Sequence, residues 1–334
     1  MTSTTVREYN EAAANVPEDA LLGSLTWYTI SDVDIPWEKA KQGLIDQGLS
    51  TDLLKPIRPV DAFRNASMEL KRSFKAANNV KINFMVRSKG QDNDCAYREV
   101  VAERVTTKAG QKRRLTYDAS ADLIYHRGTR AKDGTVTGDY IEITRFSPSA
   151  LERDMSPEQK EWLSDHLDQL PERFRHLRTH LGNHKVRNFV REYIQSLGAI
   201  SVRDSGGVYF VKQANTLDLE RIGEWIQTIG SSFHSTPLLD LVNQREMLAR
   251  AFEEEAISKV EILSKEIDQI LEEGGRKVKE STFDDYAMQA AELTSKARDY
   301  AEMLDIRSEI AHMRIDQFKK KAMALVERID YGKA

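Results

Sequence analysis

Cysteine is nearly missing from this chain of 334 residues, where Cys95 stands alone. One thiol cannot make an intramolecular disulfide or a cysteine-based zinc ribbon, and such usage suits a reducing cytoplasm. Long apolar runs are missing too. No stretch approaches the roughly 20 residues that a membrane span needs. The opening residues, MTSTTVREYNEAAANVPED, hold no apolar segment of the signal-peptide kind. A soluble, cytoplasmic chain with no membrane partner is therefore expected. Charge of one sign is not in excess either, since the formal net charge of −4 does not suit a protein that coats polyanions. No repeat of 20–50 residues is present, so no solenoid is expected.

Catalytic signatures are likewise absent. Gly43-Leu-Ile-Asp-Gln-Gly48 has P-loop glycine spacing, but Leu49-Ser50 stands where Lys-Ser is needed. Asp92/Asp94 and Glu99/Glu103 lack the Asp and Glu-x-Lys order of a metal nuclease. Cys95 with a distant histidine is too generic to mark a thiol enzyme. His176, His180 and His184 fall at i, i+4 and i+8, and the first two could chelate a metal on one helix. No Glu sits beside them as in HExxH, Gly182-Asn183 ends the helix, and the surrounding arginines repel a cation. His176 and His180 are weak candidates on that ground, and no metal or other cofactor is expected.

What is present is a central stretch, 185–230, that reads as helix, tight β-hairpin, helix. Val186, Phe189, Val190, Tyr193 and Ile194 make one apolar stripe, and Gly198 closes that helix as a C-cap. Strands near 200–203 and 208–212 flank Asp204-Ser205-Gly206-Gly207, and the two glycines supply the positive φ of a turn. Thr216 caps a second helix whose buried face is Leu217, Leu219, Ile222, Trp225, Ile226 and Ile229.

Upstream, residues 1–20 read as a polar arm and 24–31 as a strand. A helix starts at Asp34-Ile35-Pro36, carries Trp37, Ala40, Leu44 and Ile45 inward and ends near Gly48; another spans 60–76 with Ala62, Phe63, Met68, Leu70 and Phe74 as core. Five candidate strands follow between Val80 and Phe146 (VKINFMVR, YREVVAERVTT, KRRLTYDA, DLIYHRG, DYIEITRF), which is the pattern of an antiparallel meander laid on two helices. Residues 147–157 read as a linker, and the next helix should kink or break at Pro171.

Beyond Pro237 the periodicity is helical throughout. Leu248, Phe252, Ala256, Val260, Leu263, Ile267 and Ile270 form one stripe, Gly274-Gly275 interrupts it, and Thr282 with Asp285 resembles a capping box for the next helix. Its stripe runs from Leu293 through Tyr300, Leu304 and Phe318 to Ile329. Met288, Met303, Met313, Tyr300 and Phe318 read as core. The expected class is α+β: an N-terminal antiparallel sheet with helices, a central helix–β-hairpin–helix unit and a C-terminal antiparallel helical hairpin, or coiled coil. The implied divisions are 1–20, 21–146, 147–236 and 237–331.

Charge is uneven along the chain. Residues 61–150 carry 17 basic and 11 acidic side chains, and 241–334 carry 16 and 20. In the meander Lys108, Lys112, Arg113, Arg114, Arg127, Arg130 and Lys132 lie among Tyr117, Tyr125, His126 and Tyr140. Cations that neutralise phosphates beside rings that stack bases suit nucleic acid, although a solvated sheet face with basic turns has the same composition. A second run, Arg173, Arg175, Arg178, Lys185, Arg187 and Arg191 with three histidines, contains no acid between 173 and 191. A helix followed by a hairpin resembles a winged-helix reader, yet Val186, Phe189 and Val190 need burial.

The segment Gly198-Ala-Ile-Ser-Val-Arg-Asp-Ser-Gly-Gly-Val-Tyr-Phe-Val211, followed by long helices, resembles a group of proteins from phages and mobile elements. In these a hairpin of GGVYFV or GGYAVP type sits between a mixed N-terminal domain and a helical tail. Leu25-Thr-Trp-Tyr-Thr-Ile and Arg58-Pro-Val-Asp-Ala-Phe63 are similar too. Several such proteins are encoded beside MoxR-type AAA+ ATPases, which implies an accessory or adaptor role and carries over no catalytic residue.

The chain is thus expected to be a non-enzymatic interaction or adaptor protein, a homo-oligomer or the partner of a protein such as an AAA+ ATPase. A nonspecific DNA-binding protein using Lys112, Arg113, Arg114, Arg127, Arg130, Lys185, Arg187 and Arg191 is the alternative. A metal-dependent hydrolase comes third.

Overall fold

The computed structural model describes residues 16–75, 80–106, 114–128, 138–146, 155–203, 207–272, 280–305 and 309–330. In chain order β1 (Leu21–Thr29), β2 (Asp34–Pro36), α1 (Trp37–Asp46) and α2 (Pro59–Met68) come first. Then β3 (Arg72–Lys75), β4 (Val80–Gln91), β5 (Cys95–Thr106), β6 (Arg114–His126) and β7 (Tyr140–Arg145) lead into α3 (Pro157–Thr179). Next are β8 (His180–Gly182), α4 (Asn183–Ser196), β9 (Ile200–Ser201), β10 (Val208–Lys212), α5 (Thr216–Thr228) and β11 (Ser232–Leu239). Three helices close the chain: α6 (Val242–Glu272), α7 (Glu280–Leu304) and α8 (Glu309–Asp330). The class is mixed α+β. The chain divides into two compact units: one holds the described parts of Met1–Val33, Gln42–Leu53 and Asn183–Ala334, the other Asp34–Lys41 and Leu54–Gly182.

In the second unit β3 to β7 form a five-stranded antiparallel meander in sequence order. Its inward residues alternate, as a half-buried sheet requires. Ile82, Phe84, Val86, Val100, Ala102, Leu123 and Tyr125 share one core with Phe63 of α2, with Leu70 just after it, and with Trp162, Leu167, Leu170 and Phe174 of α3. α3 begins with a capping box between Ser156 and Gln159 and runs unbroken through Pro171, where a kink or break is expected.

Two strand assignments change here. The expected helix 60–76 stops at Met68, which is exposed, and Arg72–Lys75 turns into the sheet edge, pairing Phe74 with Ile82. The two short strands expected at 112–119 and 122–128 are one, β6. Val100 pairs with Ala121 and Val101 with Ala119, so Ser120 is the extra residue of a bulge that keeps the apolar alternation in phase.

In the first unit a four-stranded antiparallel sheet has the order β11-β1-β10-β9. β1 therefore pairs with β10 and β11 and not with the meander that follows it in sequence. Gly23, the third residue of β1, has φ 151°, and a Cβ there would lie 2.1 Å from the Val211 carbonyl oxygen, so no larger residue fits. Leu22, Ile200, Phe210 and Leu238 cover one core with α6, α7 and α8. Phe233 faces the opposite side by strand alternation, and there it meets Gly223 of α5. Phe189 of α4 stands edge-on to Trp225 at 5.4 Å.

Among the described residues the helical tail is three helices, where a hairpin of two is expected. α7 ends at Asp305, whose φ of 53° is the left-handed region that breaks a helix. Thr282, expected to cap α7, already lies inside it, and Gly274-Gly275 lies outside the described residues. Ile45, expected inside, is 50% exposed, whereas Ala40 and Leu44 are fully buried. Thr216 opens α5 as its first residue, and the cap position belongs to Asn215. Gly198 closes α4 at φ 75° as expected. Among the described residues no helix is long and apolar enough to cross a membrane.

Candidate functional site

α7 buries Tyr286, Ala290, Leu293, Ala297, Tyr300 and Leu304, which leaves its next face to small residues. Ala287, Ala291, Thr294 and Ser295 continue that face. With Arg298, and with Lys319, Ala322 and Met323 of α8, they line a groove of about 440 Å³. Alanine offers only a Cβ, so a facing helix can come close along such a stripe. Met288 and Met323, 64% and 65% exposed, stand beside it, and Met313 is exposed as well. Of the five side chains expected in the core, only Tyr300 and Phe318 are fully buried, and Met303 is half-buried. Exposed thioethers adapt their shape to what meets them.

The hairpin is tied to this bundle by polar contacts. Lys296 of α7 donates to Glu255 of α6 at 2.6 Å and to the Ala199 carbonyl at 2.5 Å, and the other Glu255 oxygen accepts from the Ser201 N–H. Burial holds the Lys296 ammonium below the usual lysine range, while Glu255 pulls the other way. The Tyr300 hydroxyl donates to the Gly198 carbonyl at 2.8 Å. β10 is an interior strand with Phe210 fully buried, so the hairpin is not a free wing of the kind that lies on DNA.

The basic candidates separate. Lys108, Lys112, Arg113, Arg130 and Lys132 lie outside the described residues, and for Arg114 only its backbone place in β6 is described. Arg127 is exposed and reaches the Tyr125 hydroxyl, and Tyr117 is covered by the protein's own Arg87 at 4.5 Å. On α4, Val186, Phe189 and Val190 are buried as expected, Arg187 and Arg191 are exposed, and Lys185 is half-buried. Arg187 donates to the Ile30 carbonyl at 2.9 Å. The two arginines flank Tyr28, which stacks on Tyr209. Burial raises the Tyr28 phenol well above its ordinary range against the opposing pull of both cations.

The acids have structural partners. Asp92 accepts from the N–H groups of Asp94 and Cys95 and from the Tyr97 hydroxyl, and these bonds lower its carboxyl. Glu103 is buried against Asn83. Cross-strand register brings Cys95 opposite His126, with Sγ 3.4 Å from Nδ1, and Nε2 of the same ring lies 3.0 Å from Glu142. That is the order nucleophile, base, orienting carboxylate. The N–H groups of the adjoining turn are already held by Asp92, so they are not offered to an oxyanion. Sequence reading missed this set because a register cannot be read from spacing.

His176 and His180 do come together, their rings stacked at 4.0 Å, while His184 lies in α4 beside Asn188. Among the described residues one group of ligating side chains is close enough to hold a metal, and it is this pair with Asp34. The sequence reading placed Asp34 only at a helix start.

A family model described as a family of unknown function, DUF6744, matches residues 21–331. No curated protein and no solved structure matches the chain.

Proposed function

The chain belongs to the DUF6744 family, and since that family has no stated activity we propose from its surfaces that it is a non-enzymatic interaction protein that self-associates through its C-terminal helices. The groove between α7 and α8 carries this reading. Its floor is apolar and made of small side chains, and Arg298 and Lys319 line it too. An occupant therefore needs an apolar knob flanked by acids. The chain itself presents one on α6: Ile262 is 55% exposed, and Glu261 and Glu266 beside it are exposed acids. A second copy is the occupant we assign. Burying such stripes drives assembly, and the opposed charges set the register. The resemblance to phage and mobile-element proteins adds an adaptor role, with an AAA+ ATPase as the partner such an assembly would serve.

A single native cysteine makes the test direct. In a Cys95→Ser background, one chain carries Ile262→Cys and another Ala291→Cys, and the two are mixed and oxidised. A disulfide-linked heterodimer in excess of either homodimer is expected. Equal or no cross-linking would remove the second copy from this groove.

One observation favours a second reading, DNA binding, namely Arg187 and Arg191 beside the stacked pair Tyr28 and Tyr209. Retention on a mixed-sequence duplex that falls steeply with salt is its signature.

A further inference from the structure

We propose that Asp34, His176 and His180 bind one divalent transition-metal ion of the zinc, cobalt and nickel class. The three residues are fixed by backbone structure. His176 sits in the last turn of α3, and His180 follows four residues later as the first residue of β8. β8 pairs antiparallel with β2, setting Pro36 opposite His180 and Asp34 opposite Gly182. The ladder thus holds the Asp34 carboxylate over the pair of imidazoles. Its Oδ1 is 2.9 Å from His176 Nε2, and one donor atom from each of the three residues lies within 4.8 Å of the others. Two donors about 2.0–2.1 Å from a tetrahedral zinc are about 3.3 Å apart. The edge from Asp34 to His176, at 2.9 Å, is already inside that length, and His180, whose donor lies within 4.8 Å of the other two, closes the set.

The hydrogen bonds around His180 select the tautomer a metal needs. Its Nδ1 lies 3.2 Å from the His176 carbonyl oxygen, which can only accept. The Thr179 hydroxyl, 2.9 Å from the same nitrogen, is placed to donate to the carbonyls of Arg175 and His176, so it too accepts from His180. Nδ1 therefore carries the proton, and the lone pair is on Nε2. A ligating histidine is held in this way in metal centres, its other N–H given to a carbonyl or hydroxyl.

Two of the three arginines on α3 have their charge met by acids, while Arg175 is exposed. Arg173 is paired with Glu69 at 2.7 Å and Arg178 with Asp139 at 3.1 Å. Two imidazoles and one carboxylate suit zinc, cobalt or nickel and discriminate against magnesium and calcium. Three protein donors leave an open position, as in zinc centres that bind water or a substrate, and Asp34 and His176 are both exposed to solvent.

The test is a competition titration of the full-length chain with Zn²⁺ against a chromophoric chelator, with Co²⁺ absorption reporting geometry. One equivalent per chain is expected, undisturbed by excess Mg²⁺. Asp34→Asn and His180→Ala should each weaken binding about 100-fold, and Thr179→Ala, which removes the nearer of the two acceptors of the Nδ1 proton, about 10-fold. His184→Ala should leave it unchanged. Should His180→Ala fail to fold, His180→Gln reports the same loss. No saturable binding by the wild-type chain, or variants of Asp34 and His180 that bind like it, would overturn the site.

Discussion

Tyr300 is 1% exposed and stacked on Phe252 at 5.3 Å, and its burial raises the phenol far above the ordinary tyrosine range. Burial likewise raises Tyr28, Tyr125, Tyr193 and Tyr286. Tyr97, half-buried, is pushed up to about 12, first by the hydrogen bond it gives to Asp92. A folded-state pKa above the unfolded value means stability that is intact below the unfolded tyrosine pKa of about 10 and is lost as pH rises above it. In an alkaline spectrophotometric titration only part of the 11 tyrosines should therefore ionise while the fold persists, and the rest together with loss of circular dichroism. Ionisation of all of them at the ordinary pH in an intact fold would contradict that packing. The same scale explains what sequence could show of the metal site. The i, i+4 spacing of His176 and His180 is in the chain itself, whereas Asp34 is 142 residues from its partner and reaches it only through the pairing of β2 with β8.

Among the helices, α5 is pressed close against its neighbour. A Cβ added at Gly223 would lie 2.4 Å from Phe233 Cδ1. Alanine raises helix propensity by about 1 kcal/mol over glycine, but forcing a methyl into packed space costs about 1–3 kcal/mol. The clash wins, since the ring must leave its seat on α5. Gly223→Ala should lower stability to denaturant by up to about 2 kcal/mol, and Phe233→Leu in the same chain should recover part of it. A gain in stability from the single substitution would show that α5 and β11 are not in contact. The helices were legible because their stripes are local: α4 buries the five residues its period picks out. The ends of helices and the partners of strands were not. Met68 looks like core until the chain turns at Leu70 into β3, and β1 finds its neighbours more than 170 residues away. A bulge at Ser120 makes one long strand read as two.

For the whole molecule, one account joins the exposed features of the tail. Three helices bury one stripe each against the four-stranded sheet and one another, and a second apolar surface is left in the groove between α7 and α8. In the proposed assembly a second copy, offering Ile262 and its acids, covers it. Light scattering after size exclusion, over a range of protein concentration at low and high salt, with and without a short mixed-sequence duplex, tests this most directly. A defined oligomer indifferent to the duplex is predicted, dissociating when Ala291→Trp fills the groove. A wild-type monomer at every concentration, or one that shifts only with duplex at low salt, would contradict it.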